Sequence, residues 1–258
     1  MATMSRKPGI CVSRMIPELA NLPEPILAEL NALGQMRKLA AGQLLADAGD
    51  AFDTIGFVTD GILRMQKTLP DGRQHVVGLL VSGDMFGRVF DGPMQFTLEA
   101  ATDCTLLNFR RGPFEALLTR CPELDRIILL QFLSEIDRSR DWMIVLSNPR
   151  VRGRLAGFLL MLCTRFHKVE HLFGTMNGRL TIRVPISRAD VSQLLGARAE
   201  SISRAFHALA DDGILDIIRP DLVAVLNMED LAAEAGEPEL IDAISDEILT
   251  PAQGKALH

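Results

Sequence analysis

The spacing of apolar positions changes several times along the chain. Residues 1–20 show no clear periodicity and read as a mobile arm. Ile26, Leu27, Leu30 and Leu33 then fall on one helix face, with Pro23 and Pro25 near its start and Gly34 just past its end. From 37 to 110 glycines (Gly42, Gly49, Gly56, Gly61, Gly72, Gly78, Gly83, Gly87, Gly92) punctuate strand-like runs at 54–59, 62–68, 75–81 and 105–109. Pro70-Asp71-Gly72 predicts a hairpin turn, because proline presets φ and glycine accepts φ > 0. Many short strands with turn signals predict an antiparallel sandwich or barrel. After Pro113 no glycine appears until Gly153. There Leu129, Phe132, Ile136, Ser139, Met143 and Leu146 step by 3, 4, 3, 4 and 3, a short heptad seam. The same steps suit an amphipathic helix lying on its own domain, so the seam alone leaves both open. Asn148-Pro149 breaks this helix. A second helix follows at about 151–167, then two short strands, helix, turn, helix and a hairpin near 214–226.

Composition narrows the class. The chain has 258 residues, 48% hydrophobic and 23% charged, which is globular and enough for one large domain or two smaller ones. It has no run of 18 apolar residues, and its start has neither a long apolar stretch nor a small-residue cleavage site. Cys11, Cys104, Cys121 and Cys163 lie far apart and never form C-x-x-C. A cytoplasmic protein with free thiols and no membrane partner is the reading. The net charge of −6 conceals a segregation. Residues 148–228 carry eleven Lys or Arg against seven Asp or Glu, whereas 229–258 carry one Lys against eight acids. Charge distribution matters more than net charge for a phosphate-binding surface.

The basic stretch holds the informative segment, ISRADVSQLLGARAESISRAFHALADDGIL from Ile186 to Leu215. Ser187 caps a helix 188–195, with Asp190 placed for a near capping box. Gly196 ends it and lets a second helix, about 198–211, leave at a steep angle. That helix would bury Ile202, Ala205, Phe206 and Leu209. Glu200, Ser203, Arg204 and His207 then form one exposed stripe. The chemistry suits a major groove. Arg204 can bind guanine O6 and N7 bidentately, Glu200 can accept from cytosine N4, and Ser203 can pair with several base edges. Arg198, Ser201 and Arg188 are candidates for phosphates. A solvated amphipathic helix pair has the same bare pattern.

The order of the parts resembles the Crp/Fnr family of bacterial transcription regulators, from about residue 24 to 228. Gly42-Gln43-Leu44-Leu45, Gly49-Asp50, Asp60-Gly61-Ile62 and Gly83-Asp84-Met85-Phe86-Gly87 resemble its β-roll, followed by a long central helix and a helix-turn-helix. Glu200-Ser201-Ile202-Ser203-Arg204 resembles the E-x-x-S-R readout of the Fnr branch. The resemblance implies an α+β chain with an N-terminal antiparallel, cyclic-nucleotide-binding-like β-roll, a long dimerisation helix and a C-terminal winged helix-turn-helix. The expected division is an arm at 1–23, a β-roll sensor at 24–121, a dimerisation helix at 122–147, a DNA-binding domain at 148–228 and an acidic tail at 229–258. It also implies a homodimer paired through the heptad seam, double-stranded DNA and RNA polymerase as partners, and a half-site similar to TTGAT facing its inverted copy.

Departures from the family's pattern bear on the effector. Where cyclic-nucleotide binders resemble one another in carrying Gly-Glu and then an Arg pair, for ribose hydroxyl and cyclic phosphate, this chain has Gly87-Arg88 and Phe96-Thr97. An iron–sulfur cluster of the oxygen-sensing kind needs four thiolates or near equivalents, but only Cys11 lies near the start and Asn108 takes the place of the β-roll ligand. Both groups are therefore expected to be absent. Haem is left open: His75 stands alone in the β-roll, and Cys163, His167 and His171 recur at i, i+4 and i+8. No metal site and no catalytic residues are assigned, since no P-loop, nucleophile–base or metalloprotease motif is present. The alternative function is an effector-binding β-roll answering a haem-bound gas or small ligand, with DNA binding secondary.

Overall fold

A computed structural model of the chain describes residues 10–90, 92–165 and 172–236. It divides into two compact units, Met1–Met65 with Leu79–Ile136 and Gln66–Gly78 with Asp137–His258.

The first unit opens with a one-turn helix α1 (Val12–Met15), a 3-10 turn (Pro17–Asn21) and α2 (Glu24–Leu33). Here the expected mobile arm is corrected. Val12, Ile16 and Leu19 are fully buried, and with Leu22 they share a core with Leu30, Phe109 and Phe114. The Val12 N–H donates to Asn31 Oδ1 at 2.8 Å. These four residues recur at helical spacing, but Pro17 and Pro23 break the run, and that obscures the pattern.

Eight strands follow: β1 (Gln35–Leu39), β2 (Leu44–Ala46), β3 (Thr54–Asp60), β4 (Leu63–Thr68), β5 (Gln74–Leu80), β6 (Met85–Gly87), β7 (Thr97–Ala100) and β8 (Cys104–Arg110). They form two four-stranded sheets, ordered β1-β8-β3-β6 and β2-β7-β4-β5. The β1–β8, β3–β8, β3–β6 and β2–β7 pairs are antiparallel. The β4–β5 turn matches its sequence signal. Gly72 has φ +82 and its N–H donates to Leu69 O at 2.9 Å, while Asp71 Oδ1 accepts from the Arg73 N–H at 3.1 Å.

Leu39, Val58, Leu63, Leu80, Phe86, Leu98 and Leu106 form the second core of this unit. Gly56 of β3 is fixed by packing, since a Cβ there would run into the Leu107 carbonyl and the Phe86 ring. Overpacking of this kind costs about 1–3 kcal/mol. Gly56→Ala is expected to lower the denaturant midpoint by that amount while the slope stays constant; an unchanged midpoint in chemical unfolding would count against this packing.

After β8 come α3 (Arg111–Arg120) and the 26-residue α4 (Pro122–Ser147). Pro122 starts α4 where its missing N–H is harmless, and Asn148-Pro149 ends it. The second unit continues with α5 (Val151–Arg165), β9 (Phe173–Met176), β10 (Arg179–Arg183), α6 (Arg188–Leu194), α7 (Ala199–Asp211), β11 (Leu215–Arg219), β12 (Leu222–Val225) and α8 (Met228–Ala235). Its sheet runs β11-β12-β10-β9.

Helix α8 corrects the expected boundary at 228. Asn227 caps it by accepting from the Asp230 N–H at 3.1 Å, Leu231 and Ala232 are fully buried, and Gly236 ends it with φ +85. Glu234 pairs with Arg152 at 3.2 Å, and Arg152 also pairs with Asp212 at the end of α7. The first turns of the acidic stretch therefore belong to the folded unit, because Leu231 and Ala232 give them an apolar face to bury. The rest of that stretch lies outside the described residues.

Candidate nucleic-acid interface

The helix-turn-helix is built from its caps inward. Ser187 Oγ accepts from the Asp190 N–H at 3.1 Å, and Asp190 Oδ2 accepts from the Ser187 N–H at 3.1 Å, closing a reciprocal capping box. Val191, Leu194 and Leu195 are buried beneath α6. Gly196 then takes φ +58, a conformation that favours glycine, and α7 begins three residues later. Ile202, Ala205, Phe206 and Leu209 are the buried face of α7.

The opposite face is the expected stripe. Glu200, Ser203, Arg204 and His207 are all exposed, and so is Arg198 at the N-cap. Ser201 is half-buried, and its Oγ accepts from Arg204 Nη2 at 3.3 Å. That bond lays the guanidinium along the helix surface.

Arg188, a candidate for a phosphate, is half-buried. Its guanidinium lies 3.1 Å from the centroid of the Phe206 ring. Burial lowers its pKa to about 10, with Asp221 acting in the opposite sense, so it stays charged at neutral pH. A flat cation on an aromatic face joins α6 to α7. Only the folded helix pair brings residues 188 and 206 together, which is why the sequence does not reveal it. Desolvated cation–π contacts are worth up to about 2 kcal/mol. Arg188→Ala is expected to destabilise the folded chain by about 1–2 kcal/mol in thermal unfolding; a change within a few tenths would remove this role.

The structure adds two arginines that the sequence reading passes over. Arg183 on β10 and Arg219 on β11 each reach Asp221 at 3.7 Å, beside the β11–β12 turn. The Arg219-Pro220-Asp221 run was the available signal, a turn with a cation at its entrance.

The seam residues occupy one long element. Leu129, Phe132, Ile136, Met143 and Leu146 of α4 are 56%, 40%, 48%, 69% and 42% exposed, and Ser139 is exposed with them. Leu130, Leu133 and Ile144 add further exposed apolar surface to the same helix.

In the β-roll, the Arg88 guanidinium packs over the Gly92 backbone. Thr97 Oγ1 donates to Asp47 Oδ1 at 2.6 Å, and that bond, with one from the Ala48 N–H, holds the Asp47 carboxyl below its ordinary pKa. Phe86, Met94 and Leu98 belong to the apolar core. Cys104 is buried, its Sγ donating to Ile62 O at 3.2 Å, and burial raises its pKa. Cys163 is fully buried in α5, where burial pushes its thiol up to about 12. His167 and His171 lie outside the described residues. Cys11 is half-buried beside Ser13, whose hydrogen bond lowers its pKa. Among the described residues no group of three or more His, Cys, Asp or Glu is gathered as a metal site, and no helix is long and apolar enough to cross a membrane.

A two-sheet β-roll, a long helix and a winged helix-turn-helix with a polar reading face define a DNA-binding regulator fold. Residues 36–121 match the model of the cyclic nucleotide-binding domain, and residues 153–234 that of the Crp-like helix-turn-helix domain. The chain is 30% identical over 235 residues to the transcriptional activator protein FnrL of Cereibacter sphaeroides, covering 91% of this chain and 94% of that one. It is 29% identical over 208 residues to the nitrogen fixation regulation protein FixK of Bradyrhizobium diazoefficiens, covering 81% and 85%. The structure of FixK2 from Bradyrhizobium japonicum superposes with a TM-score of 0.67 at 23% identity, covering 78% of this chain and 96% of that one. The chain belongs to the Crp/Fnr family of transcription regulators. It is a transcription regulator with a DNA-binding helix-turn-helix, not an enzyme.

Proposed function

We propose that the protein is a cytoplasmic homodimer that reads an inverted repeat similar to TTGAT–ATCAA and acts on transcription through RNA polymerase. The observation that carries the reading is the division of α7. Ile202, Ala205, Phe206 and Leu209 are buried, and Glu200, Ser203 and Arg204 share the exposed face with the chemistry of base readout. Arg204 takes the guanine of the half-site and Glu200 accepts from the opposing strand near it. Arg198 and Ser201, at the start of α7, lie where a helix N-terminus faces phosphates. The exposed apolar residues of α4 support a two-fold pairing, since a monomer gains nothing by holding them in water. Two-fold symmetry puts the reading helices in successive major grooves about 34–36 Å apart. Residues outside the described segments could add to either surface and are not needed for this reading.

The test is fluorescence anisotropy with labelled duplexes at fixed salt. Tight binding to the inverted repeat and weak binding to a scrambled duplex are expected. Equal binding to both would overturn sequence-specific reading. Arg198→Ala is expected to weaken every duplex alike and to reduce the slope of log K against log salt by about 1 for each phosphate that Arg198 neutralises. A sequence-dependent effect of that variant would place Arg198 among the base readers instead.

A further inference from the structure

Helix α8 and the end of α7 are tied to one residue of α5. Arg152 donates from Nη1 to Asp212 Oδ2, and its Nη2 pairs with Glu234 Oε2 at 3.2 Å. Asp212 is the C-cap of α7, and Glu234 stands in the last turn of α8. The Glu234 side chain is 12% exposed, so its charge is partly desolvated and needs a cation beside it. Arg150 brings a second one, 3.7 Å from Oε1. A planar guanidinium that meets two carboxylates through separate nitrogens fixes the direction of each, as a point-like ammonium would not.

The same corner holds the joint between α4 and α5, and all these elements from residue 137 onward belong to the second unit. Asn148 follows Ser147, the last residue of α4. Its Nδ2 donates to the Ala235 carbonyl at the end of α8 at 3.3 Å, and its Oδ1 accepts from the Arg150 N–H at 3.0 Å. Gly153 makes room for that amide, since a Cβ there would run into it. Helix α8 is therefore bonded to the joint at its end and, through Arg152, to the end of α7. The candidate base readers Glu200, Ser203 and Arg204 lie in the first half of α7, away from Asp212. A helix of 13 residues is about 20 Å long, so a tilt at the Asp212 end is carried to the readers. Burial of Ile202, Ala205, Phe206 and Leu209 holds the helix down, but apolar attraction is non-directional and sets its angle less firmly than a geometric ion pair does.

We propose that Arg152 is a positioning residue: by tying Asp212 and Glu234 together beside the α4–α5 joint it sets the angle of the reading helix, and so the spacer length that the dimer accepts between half-sites. One added base pair moves a half-site by about 3.4 Å along the duplex and turns it by about 35°. A dimer whose reading helices are rigidly aimed meets one spacer and misses its neighbours, whereas helices free to tilt meet several. Glu234, outside the basic stretch, then serves DNA recognition without touching DNA. The spacing half of the proposal rests on the two-fold DNA reading; the tie itself does not.

The test is anisotropy of the full-length protein on inverted repeats whose spacer grows by single base pairs, beside a duplex with one half-site. Wild type should favour one length, and a change of one base pair should weaken it about a hundredfold, as the second half-site goes out of reach. Arg152→Gln should cut that penalty to about tenfold or less, while affinity for the single half-site stays within about twofold. Asp212→Asn, at a side chain 56% exposed, should fold without difficulty and do the same. The double variant should relax no further than either single one, since both remove one tie. Gly56→Ala, which lowers stability from the β-roll core, should keep the wild-type preference and so separates positioning from instability. An unchanged penalty in both Arg152→Gln and Asp212→Asn, a half-site loss as large as the loss on the full repeat, or equal relaxation in Gly56→Ala would overturn the positioning role. Thermal unfolding of Arg152→Gln, Glu234→Gln and their double variant tests the tie alone. The double variant should melt no lower than the worse single one, and additive lowering would overturn the tie. Wild-type binding that ignores spacer length would instead overturn the two-fold reading, and with it the spacing half, and leave the unfolding result standing.

Discussion

Arg204→Ala is expected to erase the preference for a G·C pair in each half-site while leaving the fold intact. Arg204 is exposed on α7 and its Nη2 reaches Ser201 Oγ on the same helix at 3.3 Å, so truncation opens no cavity in the core. A bidentate arginine–guanine contact contributes about 1–3 kcal/mol of discrimination. A two-fold dimer makes the contact twice, so the inverted repeat should lose about 2–6 kcal/mol, roughly thirtyfold to ten-thousandfold. The loss should be confined to duplexes that carry the G·C pair. On duplexes changed at that pair, wild type and variant should bind nearly alike. Anisotropy titrations at one fixed salt concentration check this, because phosphate contacts change with salt and would blur the comparison. If the variant keeps the wild-type preference, another group reads that base and α7 is wrongly assigned. The contrast with Arg198→Ala separates a base contact from a phosphate contact on the same helix.

What the sequence reveals depends on how local the cause is. The helix-turn-helix is legible because its signals are adjacent: Ser187 and Asp190 for the cap, Gly196 for the turn, and Ile202, Ala205, Phe206 and Leu209 at helical spacing. The extent of α4 is legible because Pro122 and Asn148-Pro149 bracket an uninterrupted run. Strands β3, β4, β5 and β8 stand out as apolar runs between turn residues. By contrast, β2 and β6 have three residues each, too few to show alternation, and only the partner strand defines them.

The misses share a different cause. The burial of Val12, Ile16 and Leu19 follows from packing in one core with Phe109 and Phe114, nearly a hundred residues away, and Pro17 among them masks their period. Helix α8 lies in a stretch whose acidic charge draws attention from Asn227 as a cap and from Leu231 as an anchor. Arg188 looks like any surface arginine until the folded pair sets it on Phe206. For the seam, spacing leaves two readings, an intrachain face or a face for another copy. Exposure of Leu129, Ile136 and Met143 in the folded chain favours the second.

That surface gives the other large effect. Ile136→Asp is expected to convert the proposed homodimer to a folded monomer. Ile136 lies near the middle of α4 and is 48% exposed in the single chain, so the substitution removes little intrachain packing. In a paired helix seam the same side chain would be covered by its mate. Full burial of an isoleucine contributes about 1.5–3 kcal/mol, and the remaining half in each of two chains gives about 1.5–3 kcal/mol together. Two aspartates facing one another add repulsion of about 4 kcal/mol at 4 Å with an effective dielectric of 20. Their sum, about 5.5–7 kcal/mol, weakens the dimer by about four to five orders of magnitude. Ser139→Asp should act in the same direction through repulsion alone, since serine there offers little apolar surface to lose. Sedimentation equilibrium at micromolar concentration should show dimer for the wild type and monomer for Ile136→Asp, with unchanged circular dichroism. A wild-type monomer at that concentration, or a variant that still dimerises, would remove α4 as the pairing element. Affinity for a single half-site should survive in the monomeric variant, because α7 is untouched. Affinity for the full inverted repeat should fall towards that of the half-site, because the second reading helix is no longer tethered to the first.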